Sequence, residues 1–425
     1  VLCLALVPTI MAVENWESQD RSGRYTARDV AINYLESCAP NAILFTMGDN
    51  DTFPLWYAQH VEGIRTDVRV VNLSLLNTDW YIDGMMRRKA FDGKPVPFTL
   101  QPIQYRDGTR DLLHVIEDPR LEGRYVNLRS VINFVTSDDN KRELGGGRLD
   151  NFFPTRRFRI PVDSATVVNN GTVAPEDAHL IVDYVEWEFP ENFVQKNNLM
   201  VLDFLATNNW ERPVYFAITT GSEAYIGLEE YFQLEGMTYR LVPIRTPETE
   251  AQTGRINTRI LHDNIMNKFK WGNMYDPEVN LDVDNLRLAI NFKNIFQRLA
   301  DALILEGQTQ KAIEVLDRAM AVLPEHNVPY NFFSLMIAEA YYNAGAIEQG
   351  NKIMESMMNT AEENLKYYFT FSGRMAEMME AHKQESLAVI QRISMVTERM
   401  QIPELQERSS EIFNYYYQQY MLGFR

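Results

Sequence analysis

The sequence predicts an α/β domain with a mainly parallel sheet, followed by an all-α domain of helical repeats. Three observations predict it. In the first 250 residues short, uniformly apolar runs such as Ala42–Met47 and Val214–Thr219 alternate with helix-like segments, the pattern of strands buried on both faces and joined by helical crossovers. Beyond Leu286 helical periodicity takes over almost throughout. Within that stretch small residues and glycines recur at repeat-like offsets. The expected division is 1–16, 17–250, a linker and connecting helix over 251–285, and 286–425.

The elements follow in order. Val1–Val13 is uncharged but shorter than the ~20 apolar residues that span a bilayer. It reads as a buried first helix, or as the end of a membrane helix that starts upstream, with Glu14, Asn15, Trp16 and Glu17 marking the exit. Ser22–Ala39 is expected as a helix, with Thr26 as a cap, stopped by Pro40 and Asn41. Ala42–Met47 is a strand, Gly48-Asp49-Asn50-Asp51 a polar turn, and Thr52–Val61 a short helix. Asp67–Leu73 is a second strand and Thr78–Lys89 a further helix. Leu180–Trp187 is a strand, Asn197–Asn208 a helix capped by Asn197 or Asn198, Val214–Thr219 a buried strand, and Gly236–Ile244 an edge strand. Gly145-Gly146-Gly147 is expected to be a flexible loop, and Arg245–Gly254 a linker.

In the helical region Leu299, Ala300, Leu303, Gly307, Ala312, Leu316, Ala319 and Pro324 occupy the offsets of the tetratricopeptide pattern. A second copy runs through Ile337, Ala338, Tyr341, Gly345, Gly350 and Met354. A third pair, Ser386–Met400 and Glu404–Tyr420, matches less well. A plain helical bundle would use the same apolar spacing.

Composition narrows the function. The chain has 45% apolar and 23% charged residues with a net charge of −17. It is globular, and its acidic surface repels phosphate backbones, so nucleic acid is not an expected partner. Only Cys3 and Cys38 are present, too few for a thiolate zinc site, although one bridge between them stays open. No Walker lysine loop, GxGxxG, HExxH or GxSxG is found. Arg87-Arg88 and Arg156-Arg157 are possible phosphate contacts, though a solvated role is commoner.

Candidate ligand-binding residues cluster after the first two strands. Asp49, Asn50, Asp51 and Thr52 sit where a parallel strand ends and a helix begins, the place where α/β sheets bind ligands. Their oxygens suit a divalent cation at Asp49/Asp51 or a sugar hydroxyl. The simpler reading is a turn in which Asp51 caps the next helix. Asn77 and Asp79 follow the second strand in the same way, and would crowd the same rim with like charges that raise one pKa or demand a cation. Trp56 and Trp80 could stack a sugar ring, or pack between helix and sheet.

Ala42–Ile82 (AILFTMGDNDTFPLWYAQHVEGIRTDVRVVNLSLLNTDWYI) resembles the bacterial protein O-mannosyltransferase-like family of membrane glycosyltransferases with C-terminal tetratricopeptide regions. Leu199–Thr219 and the repeats after Leu286 are similar to the same family. The resemblance implies that membrane helices and the catalytic carboxylate lie upstream of Val1, so no catalytic residue is carried over. It implies a bacterial inner-membrane protein whose soluble part faces the periplasm, where lipid-linked sugar meets the exported acceptor. The expected function is then the non-catalytic part of a protein O-glycosyltransferase, binding or presenting sugar or, through its repeats, acceptor protein. Two alternatives stand beside it. One is a soluble metal- or sugar-phosphate-dependent hydrolase or transferase using Asp49, Asp51 and Asp79. The other is a tetratricopeptide scaffold alone.

Overall fold

The computed structural model describes residues 2–143, 147, 149–247 and 252–423. The chain divides into two compact units, 27–270 and 1–26 with 271–425.

The first of these opens with α2 (Thr26–Glu36), whose inward positions Val30, Ala31, Tyr34 and Leu35 are buried. Then come β1 (Ile43–Thr46), α3 (Asp49–His60), β2 (Arg69–Asn72) and α4 (Asp79–Arg87). β1 and β2 pair in parallel, Ile43 opposite Arg69 and Thr46 opposite Asn72. Every residue of both strands is buried, which is why they lack hydrophobic alternation. The middle of the unit carries short strands: β3 (Leu112–His114), β4 (Val126–Asn127), β5 (Arg142–Glu143), β6 (Leu149–Asp150), β7 (Arg157–Pro161), β8 (Tyr184–Glu188) and β9 (Phe193–Gln195). These form small separate sheets, the largest ordered β4-β7-β8. Helices α5 (Leu128–Thr136) and α6 (Ser164–Asn169) lie between them, and Asp163 caps α6 through the Ala165 amide. α7 (Lys196–Thr207) leads to β10 (Val214–Ala217), followed by β11 (Phe232–Leu234), β12 (Thr238–Leu241), β13 (Arg255–Ile256) and α8 (Thr258–Asp263).

The main sheet is ordered β13-β11-β12-β10-β1-β2. β10, β1 and β2 are parallel neighbours, β12 runs antiparallel to both β10 and β11, and β13 is parallel to β11. The sheet is therefore mixed, with parallel pairs in the majority. Three boundaries differ from expectation. The segment expected at an edge, Gly236–Ile244, is β12, an interior strand, because β11 and β13 extend the sheet past it. Of Leu180–Trp187 only the part from Tyr184 is strand, since Pro175–Leu180 forms 3-10 helix. Residues 255–270 carry β13, α8 and a π-helical turn rather than a linker, and group with the α/β unit. Of the glycine loop, 145 and 146 lie outside the described residues, as do 248–251 of the expected linker.

The second unit contains α1 (Leu2–Gln19), with Leu4, Val7, Ile10 and Met11 exposed. Among the described residues no helix is long and apolar enough to cross a membrane. Cys3 and Cys38 are free, so they form no bridge. The remainder is helical: α9 (Val283–Leu305), α10 (Thr309–Val322), α11 (Phe332–Asn343), α12 (Ile347–Tyr368), α13 (Arg374–Met378), α14 (Glu380–Arg399) and α15 (Pro403–Gly423). α9 packs on α10 and α11, α11 on α12, α12 on α14, and α14 on α15.

One turn recurs inside the helix pairs α9/α10, α11/α12 and α14/α15. After α9 the Gln308 amide donates to Leu303 O and Gly307 to Ile304 O. After α11 the Ala346 amide donates to Tyr341 O and Gly345 to Tyr342 O. After α14 the Ile402 amide donates to Thr397 O and Gln401 to Glu398 O. Each is a Schellman cap around a left-handed residue, with φ +74° at Gly307, +80° at Gly345 and +58° at Gln401.

Candidate functional site

Because β10, β1 and β2 are parallel, their carboxyl ends share one rim. The loops leaving them carry Thr219, Gly48–Thr52 and Ser74–Asp79 respectively. The expected turn at Gly48-Asp49-Asn50-Asp51 is instead the start of α3, with Gly48 as its N-cap in extended conformation and no side-chain cap bond. Asp51 therefore does not cap the helix. Thr52 binds the rim together: its Oγ1 lies 2.8 Å from Thr46 Oγ1, donates to Gly48 O and accepts from Asn72 Nδ2. Asn72 Oδ1 accepts from the Leu75 amide, and Ser74 Oγ donates to Met47 O. These bonds hold the two loops in register.

The four acidic and amide residues expected to crowd this rim divide between two environments. Asp49 and Asn50 are exposed. Asp51 is only 8% exposed, and burial pushes its carboxyl up, partly offset by a hydrogen bond from Thr219. Thr219 Oγ1 in turn lies 2.9 Å from the hydroxyl of the buried Tyr34. Asp79 faces elsewhere. Its Oδ1 accepts from Lys196 Nζ at 2.8 Å and its Oδ2 from the Asp107 amide at 3.0 Å. Burial opposes ionisation of Asp79, but these bonds and the Lys196 and Arg106 charges outweigh it and hold the carboxyl below the usual range. Lys196 also pairs with Asp111. Asn77 Oδ1 accepts from the Asn197 amide. The amino end of α7 is thus tied to the loop after β2. α7 starts at Lys196 with Gln195 as N-cap, so neither Asn197 nor Asn198 serves as the cap.

The expected like-charge crowding is absent. Asp51 is raised by burial, not by a second carboxylate, and Asp79 is neutralised by a lysine. Among the described residues no group of three or more His, Cys, Asp or Glu could hold a metal ion, so Asp49, Asp51 and Asp79 do not converge as a ligand set. The aromatic pair separates as well. Trp80 is 64% exposed, its ring 5.5 Å from that of the buried Tyr81 in a T-shaped pair. Trp56 is half-buried and lines a different cleft with Arg69 and Phe91. Arg156 and Arg157 pair with Glu117 and Glu188. Lys196, Asp111, Thr219 and Tyr34 were not evident from the sequence; a lysine heading the mainly apolar Leu199–Leu205 segment was the one available signal.

On the helical unit lies a groove of about 680 Å3, lined among others by Tyr330, Phe332, Leu335, Asn364, Tyr368 and Arg392. Its mixed apolar and amide lining suits an extended peptide.

A family model described as TMEM260-associated domain 2 matches residues 27–260, which run from α2 into α8. No curated protein and no solved structure matches the chain.

Proposed function

We propose that this chain, which belongs to the TMEM260-associated domain 2 family, is the non-catalytic extracytoplasmic region of a membrane protein O-glycosyltransferase. On this reading the soluble part faces the periplasm from the bacterial inner membrane. The helical unit, taken as tetratricopeptide-like, holds the acceptor protein, and the rim of the α/β unit takes sugar hydroxyls. Lipid-linked sugar is the business of the membrane part. The observation that carries the reading is the groove beside Phe332 and Tyr368, because α9/α10, α11/α12 and α14/α15 repeat one turn geometry and stack into a surface suited to a chain segment. The resemblance supports it too: Ala42–Ile82 and Leu199–Thr219 supply β1, α3, β2, most of α7, β10 and Thr219 itself.

The test is binding of unfolded exported polypeptide to the whole chain, with Phe332→Ala and Tyr368→Ala compared by calorimetry. Phe332 is exposed, so its loss should leave folding intact and weaken binding about tenfold. Unchanged affinity in both variants would sink the acceptor role.

A second reading keeps an active site on the rim, as a metal- or sugar-phosphate-dependent hydrolase or transferase. Its support is Asp51, a carboxyl at the strand-end rim raised by burial as a general acid requires. Hydrolysis of a sugar phosphate by the chain alone, abolished in Asp51→Asn, would favour it over the first reading.

A further inference from the structure

Beside β2 lies a cleft of about 270 Å3, lined by Trp56, His60, Val68, Met85, Phe91 and Arg69. Arg69 is 4% exposed. Its Nη2 donates to Gly84 O at 3.4 Å and Arg88 O at 3.2 Å, near the carboxyl end of α4. Its Nε and Nη1 are buried with no hydrogen-bond partner. Among the described residues no carboxylate pairs with it; burial disfavours its charge, and the Tyr81 phenol offsets this only in part.

The neighbouring charge is a second cation. Arg212 donates to the carbonyls of Asn41 and Pro95, and it is pushed down to about 10 by burial and then by the charge of Arg69. A buried guanidinium without an anion is unfavourable, and two that repel each other are more so. Among the described residues the carboxylate at the lip of the cleft is Asp92, whose Oδ2 accepts from the lining Thr66 at 2.7 Å and is not paired with Arg69. The mouth of the cleft is also formed at a cost. Phe91 has φ +51°, a left-handed conformation that disfavours a bulky residue by roughly 1 kcal/mol. It is nevertheless exposed, with its ring 4.8 Å from that of His60.

We propose that this cleft binds a small phosphate monoester, its oxyanion compensating Arg69 and its organic ring packed against Trp56 and Phe91. The site is separate from the strand-end rim and does not depend on the glycosyltransferase reading.

The whole chain is titrated with a hexose 1-phosphate, inorganic phosphate and the free hexose, read by calorimetry and tryptophan fluorescence. Hexose 1-phosphate should bind saturably, phosphate about tenfold more weakly, and the uncharged hexose not at all. Arg69→Met should lower the affinity at least about tenfold. Should that variant not fold, Phe91→Glu sets a carboxylate at the exposed mouth and should produce the same loss with the circular dichroism unchanged. Absence of saturation by either anion up to about 10 mM, or undiminished affinity in folded Phe91→Glu, overturns the proposal. Equal affinity for phosphate and hexose 1-phosphate overturns the ring contact.

Discussion

Lys196 Nζ sits 2.8 Å from Asp79 Oδ1, although the two residues are 117 positions apart. The lysine side chain is 4% exposed and the aspartate 33%. One ion pair thereby joins the loop after β2 to the head of α7, and it removes Asp79 from any ligand set on the rim.

Lys196→Met should destabilise the chain by about 2 kcal/mol at pH 7, measured by urea unfolding. Burial works against both charges, but Asp79 is held below the ordinary carboxylate range by Lys196, and Lys196 above the ordinary amine range by Asp111 and Asp79. The aspartate's contribution is present above its unfolded pKa near 4 and is lost as the pH falls through its lower folded value. The lysine's is present below about 10.4 and is lost as the pH rises past it. The gap between wild type and variant should therefore narrow below about pH 4. A gap that is the same at pH 7 and at low pH would show that packing of the lysine stem, not charge, holds the two segments together.

Asp51→Asn should behave in the opposite sense. The folded carboxyl is raised by burial, so the unfolded chain loses its proton first and stability falls as the pH rises from the unfolded pKa through the folded one. The amide keeps an acceptor for Thr219 without the buried charge. At pH 7 the variant should be as stable as wild type or more so by about 0.5–1 kcal/mol, with the difference vanishing at low pH. A loss of about 1 kcal/mol at neutral pH would mean that the folded state stabilises the ionised carboxylate, and would contradict burial as the dominant influence on Asp51.

Asp51 and Lys196 mark where the sequence stops being informative. β1 and β10 are legible because a strand buried on both faces is largely apolar, and Ile43–Phe45 and Val214–Ala217 meet that rule locally, whereas β2 shows it only at Val70 and Val71. β11 is three residues long and follows a 3-10 turn, too short to display a period. Its absence from the reading placed β12 at an edge. The Lys196 pairing and the Thr219–Asp51 bond join residues far apart in the chain, and no local pattern encodes them. The crowding expected among Asp49, Asp51, Asn77 and Asp79 followed from their positions after adjacent strands, which is correct, but their side-chain directions depend on α7 and on the turn after β10.

The same contrast appears in the third helix pair. Gly307 and Gly345 announce their turns because a left-handed residue without Cβ is glycine's role. Gln401 occupies the equivalent place with φ +58°, so the repeat is present in the backbone while its signature is missing. Gln401→Gly should raise stability by about 1 kcal/mol, visible as a higher thermal midpoint. A neutral or lowered midpoint would mean that the glutamine side chain makes a compensating contact.

Gly350 is a different kind of glycine. A Cβ there would come within 2.7 Å of Tyr342 Cδ1, and the tyrosine hydroxyl is anchored to Asn351 Oδ1 at 2.9 Å. The ring cannot retreat without breaking that bond, so α11 and α12 would have to separate. Gly350→Ala should destabilise by about 2 kcal/mol, and the double change with Tyr342→Leu should recover most of it. Failure of the second change to rescue the first would place the strain in the backbone instead.

Lys293 is a buried amine within α9. The residue is 1% exposed, and its Nζ donates to Val328 O, Pro329 O and Ser334 Oγ, with the Tyr330 ring 5.3 Å away. Among the described residues no carboxylate bonds to it, although Glu325 favours its charge, and burial pushes the amine down to about 8. Since the unfolded amine titrates near 10.4, the folded state sheds its proton first. Stability should rise as the pH climbs from about 8 towards 10.4, by an amount on the order of 3 kcal/mol. Buried tyrosines such as Tyr341 are raised by burial and act in the opposite direction at the top of this range. The measurement is therefore the difference between wild type and Lys293→Met in urea unfolding at successive pH values, which cancels the tyrosines. Wild type should gain on the variant across the window. Parallel curves would mean that the three oxygen acceptors hold the ammonium charged, so that the segment 328–334 is fastened to α9 by a cation and not by a neutral amine.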